Sequence, residues 1–528
     1  MDDHTKAVAR ISAQVFSFYQ DKVPFRLYHG STNSTKSRKV DPSRMVNTSA
    51  LNHVLNVSVE SKTCLVEPNV SMDQLVDATL PYGLVPPVVM EFPGITVGGG
   101  FAGTAGESSG FRYGFFGESV NWIEIVLANG ETVTASPRER EDLFEGASAG
   151  SDRPIGRLTG VSGSFGTLGV TTLLELRLID AKRYVELTYR PVTSTKDALA
   201  TIKAASQVDA GNDYVDGILF APDRGVIITG RLTDDLAADI KVQRFSRAQD
   251  PWFYLYAERK IEKSPTGERA KEATELHDYL FRYDRGAFWT GKYAFDYFLV
   301  PFNSVTRYLL DYFMHTRVMY HALHASGHAK KYLIQDLLLP EHNAEAFVDF
   351  VGKELGTWPL WLCPFTVRGN LALHPKLKPE KEGEAERKND GGGKQEGVDG
   401  EKKVFINIGV WGPGSTSYDR FVDQNRRLER KVRELGGIKW LYAQAYYTED
   451  EFREIYDQKW YERLREKYFA THLPTVFEKV SVDLPQASEM DRRSWSVWIR
   501  SAAWDMWPVS GLYGVYKTLI GREYLLAK

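Results

Sequence analysis

Residues Glu91–Glu118, EFPGITVGGGFAGTAGESSGFRYGFFGE, decide how the rest of the chain is read. Nine glycines fall within them: Gly94, Gly98, Gly99, Gly100, Gly103, Gly106, Gly110, Gly114 and Gly117. Such density disfavours helix and strand alike, because glycine gives up more backbone freedom on folding than any other residue. It suits a backbone that approaches a ligand closely and turns its N–H groups inward, as around a phosphate. Gly98, Gly100 and Gly103 match the G-x-G-x-x-G spacing. A Rossmann fingerprint would also need a strand just before it and a helix opening just after it. Phe92-Pro93-Gly94 interrupts any strand, and TAGESSGFRYG carries no amphipathic helical pattern. The segment therefore reads either as a ligand cradle of another kind or as a glycine-rich surface loop.

Working outward, the 528 residues leave room for two or three domains. The balance of 66 basic and 69 acidic residues, net −3, gives no footprint for a nucleic-acid partner. Cys64 and Cys363 are the only cysteines, which excludes a disulfide framework or a cysteine-rich metal site. His277, His315 and His321 form no metal-ligand pattern, so no metal is expected. N-x-S/T sequons begin at Asn33, Asn47, Asn56 and Asn69 and read as chance matches in a cytoplasmic chain. The N-terminal residues show neither a signal peptide nor a membrane span. Ile11, Val15 and Phe18 stand at helical intervals and predict a helix packed by one face.

In chain order, Val23–Ser37 predicts a short strand running into a small-residue loop, Gly30-Ser31-Thr32-Asn33-Ser34. Cys64–Val70 reads as a strand, and Ser71-Met72-Asp73-Gln74 as a capping box opening a helix that ends at Pro81-Tyr82-Gly83. Beyond the glycines, WIEIVLANGETVTA predicts a hairpin turning on Asn129-Gly130. Asp142-Leu143-Phe144 follows, and then a glycine turn at Gly166-Thr167-Leu168-Gly169-Val170 feeds a strand.

Taken together in this order, these pieces resemble the FAD-binding domain of the vanillyl-alcohol oxidase / p-cresol methylhydroxylase (PCMH) family. The resemblance implies an α+β chain: a two-subdomain FAD-binding domain of the PCMH type, then an α+β substrate (cap) domain with an antiparallel sheet. The cofactor-binding positions it implies are Gly30, Ser31, Thr32, Asn33, Ser34, Thr96, Val97, Gly98, Gly99, Gly100, Gly103, Thr104, Gly106, Glu107, Ser108, Arg112, Gly114, Gly166, Gly169 and Val170. Many members attach FAD covalently through a histidine in the first loop. Asn33 stands there in this chain, so the implied FAD is non-covalent, and His29 is read as structural.

The second half alternates strands and helices: YVELTYRPV, TKDALATIKAAS, a hairpin at Pro222-Asp223-Arg224-Gly225, TWPLWLCPF, KVFINIGVW, a helix from Tyr418 to Gly436, the strand KWLYAQAYY, and a helix from Glu449 to Tyr468 with Thr448 as its N-cap. Between Trp252 and Tyr320 runs an aromatic, basic segment, which suits a bulky apolar substrate or a packed interface. Lys376–Lys403, charged and nearly free of apolar residues, predicts a disordered insert. The expected organisation is 1–182 for the FAD-binding domain, 183–480 for the substrate domain with the 376–403 insert, and 481–528 for a tryptophan-rich tail. Pro508, Gly511 and Gly514 are expected to break the tail, and no run in it is long enough to span a bilayer.

Within the family, Val66-Glu67-Pro68, Thr96–Ser108, Phe288-Trp289, Gln335-Asp336, Trp361-Leu362-Cys363-Pro364-Phe365, His374-Pro375 and Leu441-Tyr442-Ala443 are similar to the delta-24 sterol reductase (Diminuto/Dwarf) branch. Three departures stand out: no counterpart to that branch's N-terminal membrane helix, an insert near Ala149–Thr159, and the tail. The branch implies reduction of a sterol side-chain alkene, with NADPH as reductant and a sterol or sterol-like substrate. Tyr283, Arg285, Tyr446 and Glu91 are the candidates for acid and orienting groups. An oxidase or dehydrogenase acting on an alcohol or lipid stands as the alternative, and a non-catalytic flavin- or lipid-binding protein as a third reading. The expected location is cytoplasmic or peripheral on the endoplasmic reticulum membrane. A peripheral membrane contact through the tail and a homodimer are left open.

Overall fold

In a computed structural model of the chain, the described residues are 2–29, 41–144, 160–262, 270–367, 403–482 and 507–521. The first helix, Asp2–Gln20, buries His4, Val8, Ile11 and Val15 at the spacing one helix face requires. Phe18 is partly buried and stacks on Phe25 with ring centroids 5.7 Å apart.

Strands β1 (Arg26–Tyr28) and β2 (Met45–Asn47) pair in parallel. They are followed by β3 (Val54–Ser58), β4 (Thr63–Val66), β5 (Leu84–Val85), β6 (Val120–Leu127), β7 (Thr132–Ala135), β8 (Gly169–Arg177) and β9 (Ile179–Asp180). Five of them form an antiparallel sheet in the order β3-β4-β8-β6-β7. The helix Met72–Thr79 opens as expected, with the Gln74 side chain accepting from the Ser71 N–H at 3.1 Å. Gly83 closes it in the left-handed conformation.

The glycine-rich segment departs from expectation, because Val97–Ala102 and Gly110–Tyr113 are short helical turns. Thr96 caps the first, its hydroxyl oxygen accepting from the Gly99 N–H at 3.1 Å. Packing overrides propensity here. A β-carbon at Gly98 would sit 2.7 Å from the Pro68 side chain, and one at Gly100 only 2.3 Å from the Met90 methyl.

The remaining strands are β10 (Tyr184–Val192), β11 (Tyr214–Ala221), β12 (Arg224–Thr233), β13 (Ala270–Glu275), β14 (Tyr332–Pro340), β15 (Leu360–Val367), β16 (Lys403–Pro413) and β17 (Ile438–Lys439). They make one antiparallel sheet, β13-β10-β12-β11-β15-β16-β14-β17. Period-two alternation sorts its side chains between faces. Leu360, Leu362, Ile406, Ile408, Val410, Leu333, Leu337 and Leu339 share one core with the helices Thr195–Ala205, Glu341–Glu354 and Tyr418–Glu434. Trp361, Cys363, Phe365, Phe405 and Trp411 face the opposite way, into the core that also holds the five-stranded sheet.

Two sequence expectations, the strand KWLYAQAYY and the broken tail, are corrected. The predicted strand KWLYAQAYY ends after Lys439: the Trp440 N–H turns to the Asp336 carbonyl at 3.1 Å, and the Ala445 N–H to the Val480 carbonyl at 3.0 Å. The end of the 183–480 unit contacts the turn before β8, where the Tyr461 hydroxyl donates to Thr167 Oγ1 at 2.7 Å and the Lys479 ammonium to the Phe165 carbonyl at 2.8 Å. Gly511 and Gly514 do not break the tail, since Val509–Gly521 is one helix. Both glycines permit close docking: β-carbons there would meet Tyr297 at 2.4 Å and the Ala322 carbonyl at 2.6 Å. Among the described residues no helix is long and apolar enough to cross a membrane. The Ala149–Thr159 insert, residues 376–402 of the charged insert, and Trp495, Trp498 and Trp504 lie outside the described residues.

The two halves meet where the Phe365 ring lies against Gly106 and Gly110. A β-carbon at either glycine would stand 2.4 or 2.3 Å from that ring. Gly110→Ala is expected to destabilise the protein by about 1–3 kcal/mol through overpacking, read as a lower urea midpoint, and Phe365→Leu in the same background should recover part of the loss. An unchanged midpoint in Gly110→Ala would mean that this contact is slack.

Candidate functional site

A cavity of about 310 Å³ lies between the glycine-rich segment and the inner face of the eight-stranded sheet. One wall is nearly bare backbone: Gly98, Gly99, Gly100, Gly103 and Gly106, continued by Gly166 and Gly169 at the start of β8. Asn69, Thr96 and Lys479 add polar groups to that side. Opposite stand Trp361 and Phe365 from β15, Asn407 and Trp411 from β16, and Asp336 from β14. Register explains their grouping, because Gly409 pairs with Trp361 on one side and Asp336 on the other. Lacking a side chain, Gly409 lets those two neighbours close over it, 3.2 Å and 3.1 Å from where its β-carbon would be.

Phe92, Phe288, Tyr320 and Trp411 form an aromatic wall of the cavity. Phe92 lies 5.8 Å from Phe288, 5.8 Å from Tyr320 and 5.7 Å from Trp411, and Phe288 lies 4.8 Å from Trp411. Edge-to-face and tilted contacts at these distances fix the rings and leave their faces available to a ligand.

Two carboxyl groups reach this apolar lining. Glu91, only 8 % exposed, is raised well above the usual carboxylate range, first by burial and then by the charge of Glu107 and the hydrogen bond between the two. Glu91 Oε1 and Glu107 Oε2 have no hydrogen-bond partner among the described residues. Behind them the Arg282 guanidinium stands 3.9 Å from Glu107 and 2.8 Å from Asp216. Asp336 is also raised by burial, opposed by three donors: the Tyr442 hydroxyl, Asn407 Nδ2 at 2.9 Å and Trp411 Nε1 at 3.1 Å. Asp336 is thus satisfied, whereas Glu91 keeps one oxygen without a partner among the described residues, and burial, then the charge of Glu107, favour its protonated form.

The sequence-predicted residues fall into four groups. Thr96, Gly98, Gly99, Gly100, Gly103, Gly106, Gly166, Gly169 and Glu91 line the cavity. Val97, Thr104, Glu107, Ser108, Gly114 and Val170 stand behind that lining, while Arg112 points away to Asp213 at the entrance to β11. Gly30, Ser31, Thr32, Asn33 and Ser34 lie outside the described residues. The last group, Tyr283, Arg285 and Tyr446, is held elsewhere and is absent from the lining. The Tyr283 hydroxyl donates to Asp216 at 2.9 Å, and its ring stacks on Phe288 at 3.9 Å. Arg285 donates to Asp311 at 2.7 Å and to the carbonyls of Ala248 and Asp250. Tyr446 is buried on the far side of the sheet, its N–H on Glu429 at 2.8 Å and its hydroxyl on Gln444 at 3.0 Å.

Sequence reasoning passed over Asp336, Asn407, Trp411, Tyr442 and Lys479 as site residues. Asp336 carried a signal: it is the one charged residue in the apolar strand YLIQDLLLP. Tyr442 carried none, because its position depends on the chain leaving the sheet after Lys439.

FAD fits this lining. The glycine wall leaves space that side chains would fill, and Lys479 brings a cation to the edge of that wall, bonded to the Phe165 and Gly166 carbonyls.

A family model described as an FAD binding domain matches residues 5–136. The chain is 30% identical to a Delta(24)-sterol reductase of Homo sapiens over 453 residues, covering 84% of this chain and 78% of that protein. It is 29% identical to a Delta(24)-sterol reductase of Arabidopsis thaliana, covering 79% of this chain and 73% of that protein. A shorter similarity, 30% over 186 residues and 32% of each chain, links it to Cytokinin dehydrogenase 9 of Oryza sativa subsp. japonica.

Beside the site, burial would lower the His315 pKa, but hydrogen bonds to Asp284 and Asp311 override it and push it up to about 9. A group whose folded pKa is raised stabilises fully below its unfolded pKa of about 6.5 and loses that contribution as pH climbs through the folded value. The difference in Tm between the protein and His315→Gln is therefore expected to shrink between about pH 6.5 and about 9. A difference that stays constant, or grows, across that window would show that the imidazolium is not what ties Asp284 to Asp311.

Proposed function

The chain belongs to the delta(24)-sterol reductase family of FAD-dependent oxidoreductases, and from that premise we propose that it reduces the side-chain double bond of a sterol or sterol-like lipid, with NADPH as the reductant. The observation that carries the reading is the buried, partly unpartnered Glu91 carboxyl in an aromatic cavity walled by bare glycine backbone, where burial and the neighbouring Glu107 raise its pKa. Thr96, the glycines Gly98 to Gly106, Gly166, Gly169 and Lys479 are proposed to hold FAD without a covalent bond. Bound there, FAD supplies the hydride.

An isolated trisubstituted alkene has no carbonyl to accept hydride density, so protonation must come first. Glu91 Oε1 is proposed to deliver its proton to the less substituted alkene carbon: the O–H bond breaks, a C–H bond forms, and a tertiary cation is left to accept hydride. The faces of Phe92, Phe288, Tyr320 and Trp411 favour that positive charge, as aromatic quadrupoles attract cations. The same rings exclude water, which would otherwise trap the cation as an alcohol. Arg282, behind Glu107, offsets the negative charge that proton transfer leaves on Glu91. Both large sheets are antiparallel, so neither supplies the parallel βαβ unit of a Rossmann site. NADPH is accordingly proposed to use the same cavity as the sterol, in turn.

Glu91→Gln is expected to lower the rate of sterol reduction by about 10²-fold or more, the usual scale for loss of a general acid, while leaving FAD content and bleaching of the flavin by NADPH unchanged. In D2O the wild-type product should carry one solvent deuterium, located by mass spectrometry at the less substituted former alkene carbon. Full sterol turnover in Glu91→Gln would remove Glu91 from the chemistry. Oxygen consumption with an alcohol substrate and inertness to NADPH would replace the reductase with an oxidase.

A further inference from the structure

A second cavity, about 140 Å³, lies beneath the helix Val509–Gly521, and the function proposed above gives it no role. Its walls come from that helix, from Thr290–Tyr297, from Thr316–Ala325 and from the start of β14. Phe298, Phe313, Met319, Leu323 and Val515 make it overwhelmingly apolar, and its few polar groups include Thr518 and Ser326. Thr518 is already bonded to the Gly514 carbonyl at 2.7 Å and to His321 at 2.9 Å, so the lining asks for no charged ligand.

Two features separate this cavity from a packing fault. The cavity opens to the surface with an almost wholly apolar lining, so it exposes a concave apolar patch of the kind that marks ligand sites. The covering helix is also held in place, since Gly511 and Gly514 let it approach Tyr297 and Ala322 more closely than any side chain would allow, and Trp507 Nε1 donates to the Tyr297 carbonyl at 2.6 Å. The cavity is a built space behind a docked wall.

Its position assigns its use. Tyr320 lines both cavities, and the neighbouring residues Ala287 and Phe288 divide between them, Ala287 on this side and Phe288 on the catalytic side. Across the Tyr320 ring, an apolar ligand here lies next to the aromatic wall that Glu91 shares. We propose that this second cavity seats the rigid ring system of the sterol, while its flexible side chain passes Tyr320 into the catalytic cavity. The inference rests on the sterol reading of the catalytic site. It adds a specific claim: substrate selection by ring shape is made by the C-terminal helix, remote from the flavin-binding glycines.

The test uses dehydroergosterol, a fluorescent sterol, bound to the FAD-loaded full-length protein and to Val515→Trp and Ala294→Trp, which fill the cavity from opposite walls. Leu512→Ser, on the exposed face of the same helix, is the control. Val515→Trp and Ala294→Trp are expected to weaken sterol binding at least tenfold, to leave FAD content and NADPH bleaching unchanged, and to retain turnover of a short branched alkene that needs only the catalytic cavity. Leu512→Ser should bind as the wild type does. Unchanged affinity in both tryptophan variants, equal loss in Leu512→Ser, or no dehydroergosterol binding by the wild type would each overturn the assignment. Sterol binding blocked by the tryptophans, in a protein that reduces no alkene, would uphold the cavity and overturn the reductase reading instead.

Discussion

The Phe365 ring occupies the space where β-carbons at Gly106 and Gly110 would have to be, and the rest of the architecture follows from that close approach. It fixes the distance between the glycine-rich backbone and the large sheet, and so the height of the cavity between them. Phe365 can reach inward because strand alternation on β15 turns Trp361, Cys363 and Phe365 to one face and Leu360 and Leu362 to the other. Phe115 stacks on it at 5.2 Å, and Trp440 meets Phe115 edge-on at 5.1 Å. That wall of the cavity is therefore braced by rings packed against one another.

Electrostatics follow from the same burial. Carboxylates taken out of water are costly unless paired or protonated. On Asp216 three donors converge on Oδ2, Arg282 at 2.8 Å, the Tyr283 hydroxyl at 2.9 Å and Trp361 Nε1 at 3.1 Å, while Oδ1 has no partner among the described residues. Asp336 has its own three donors. Glu91 has the Glu107 carboxyl beside it, and burial first, then that like charge, raise its pKa against the opposing pull of Arg282. Of the buried carboxyls that keep an oxygen without a partner among the described residues, Glu91 is the one that lines the cavity and borders the aromatic wall, the pattern expected of a site that must deliver a proton in a dry space.

Much of this was legible in the chain. The spacing of glycines from Gly94 to Gly117 marked the segment that becomes the bare wall, and the capping box at Ser71 and the Asn129-Gly130 hairpin marked the elements that hold it. What escaped was long-range. KWLYAQAYY alternates like a strand, but after Lys439 the chain turns toward Asp336 and Val480, which carries Tyr442 to the cavity and leaves Tyr446 on the far face. Tyr283 and Arg285 stand out by composition, yet their partners Asp216 and Asp311 are 67 and 26 residues away and visible only once folded. Gly511 and Gly514 read as helix breakers because sequence cannot show the neighbouring helix that needs their missing side chains.

The proposed reaction requires a protein-bound flavin that NADPH reduces and an alkene reoxidises. An anaerobic titration of the FAD-loaded protein, followed in the oxidised-flavin absorbance band, tests this most directly. NADPH should bleach the band, and a sterol carrying the side-chain alkene should restore it, whereas the saturated sterol should not. A band that NADPH leaves intact, or one that stays bleached when the unsaturated sterol is added, would contradict the account.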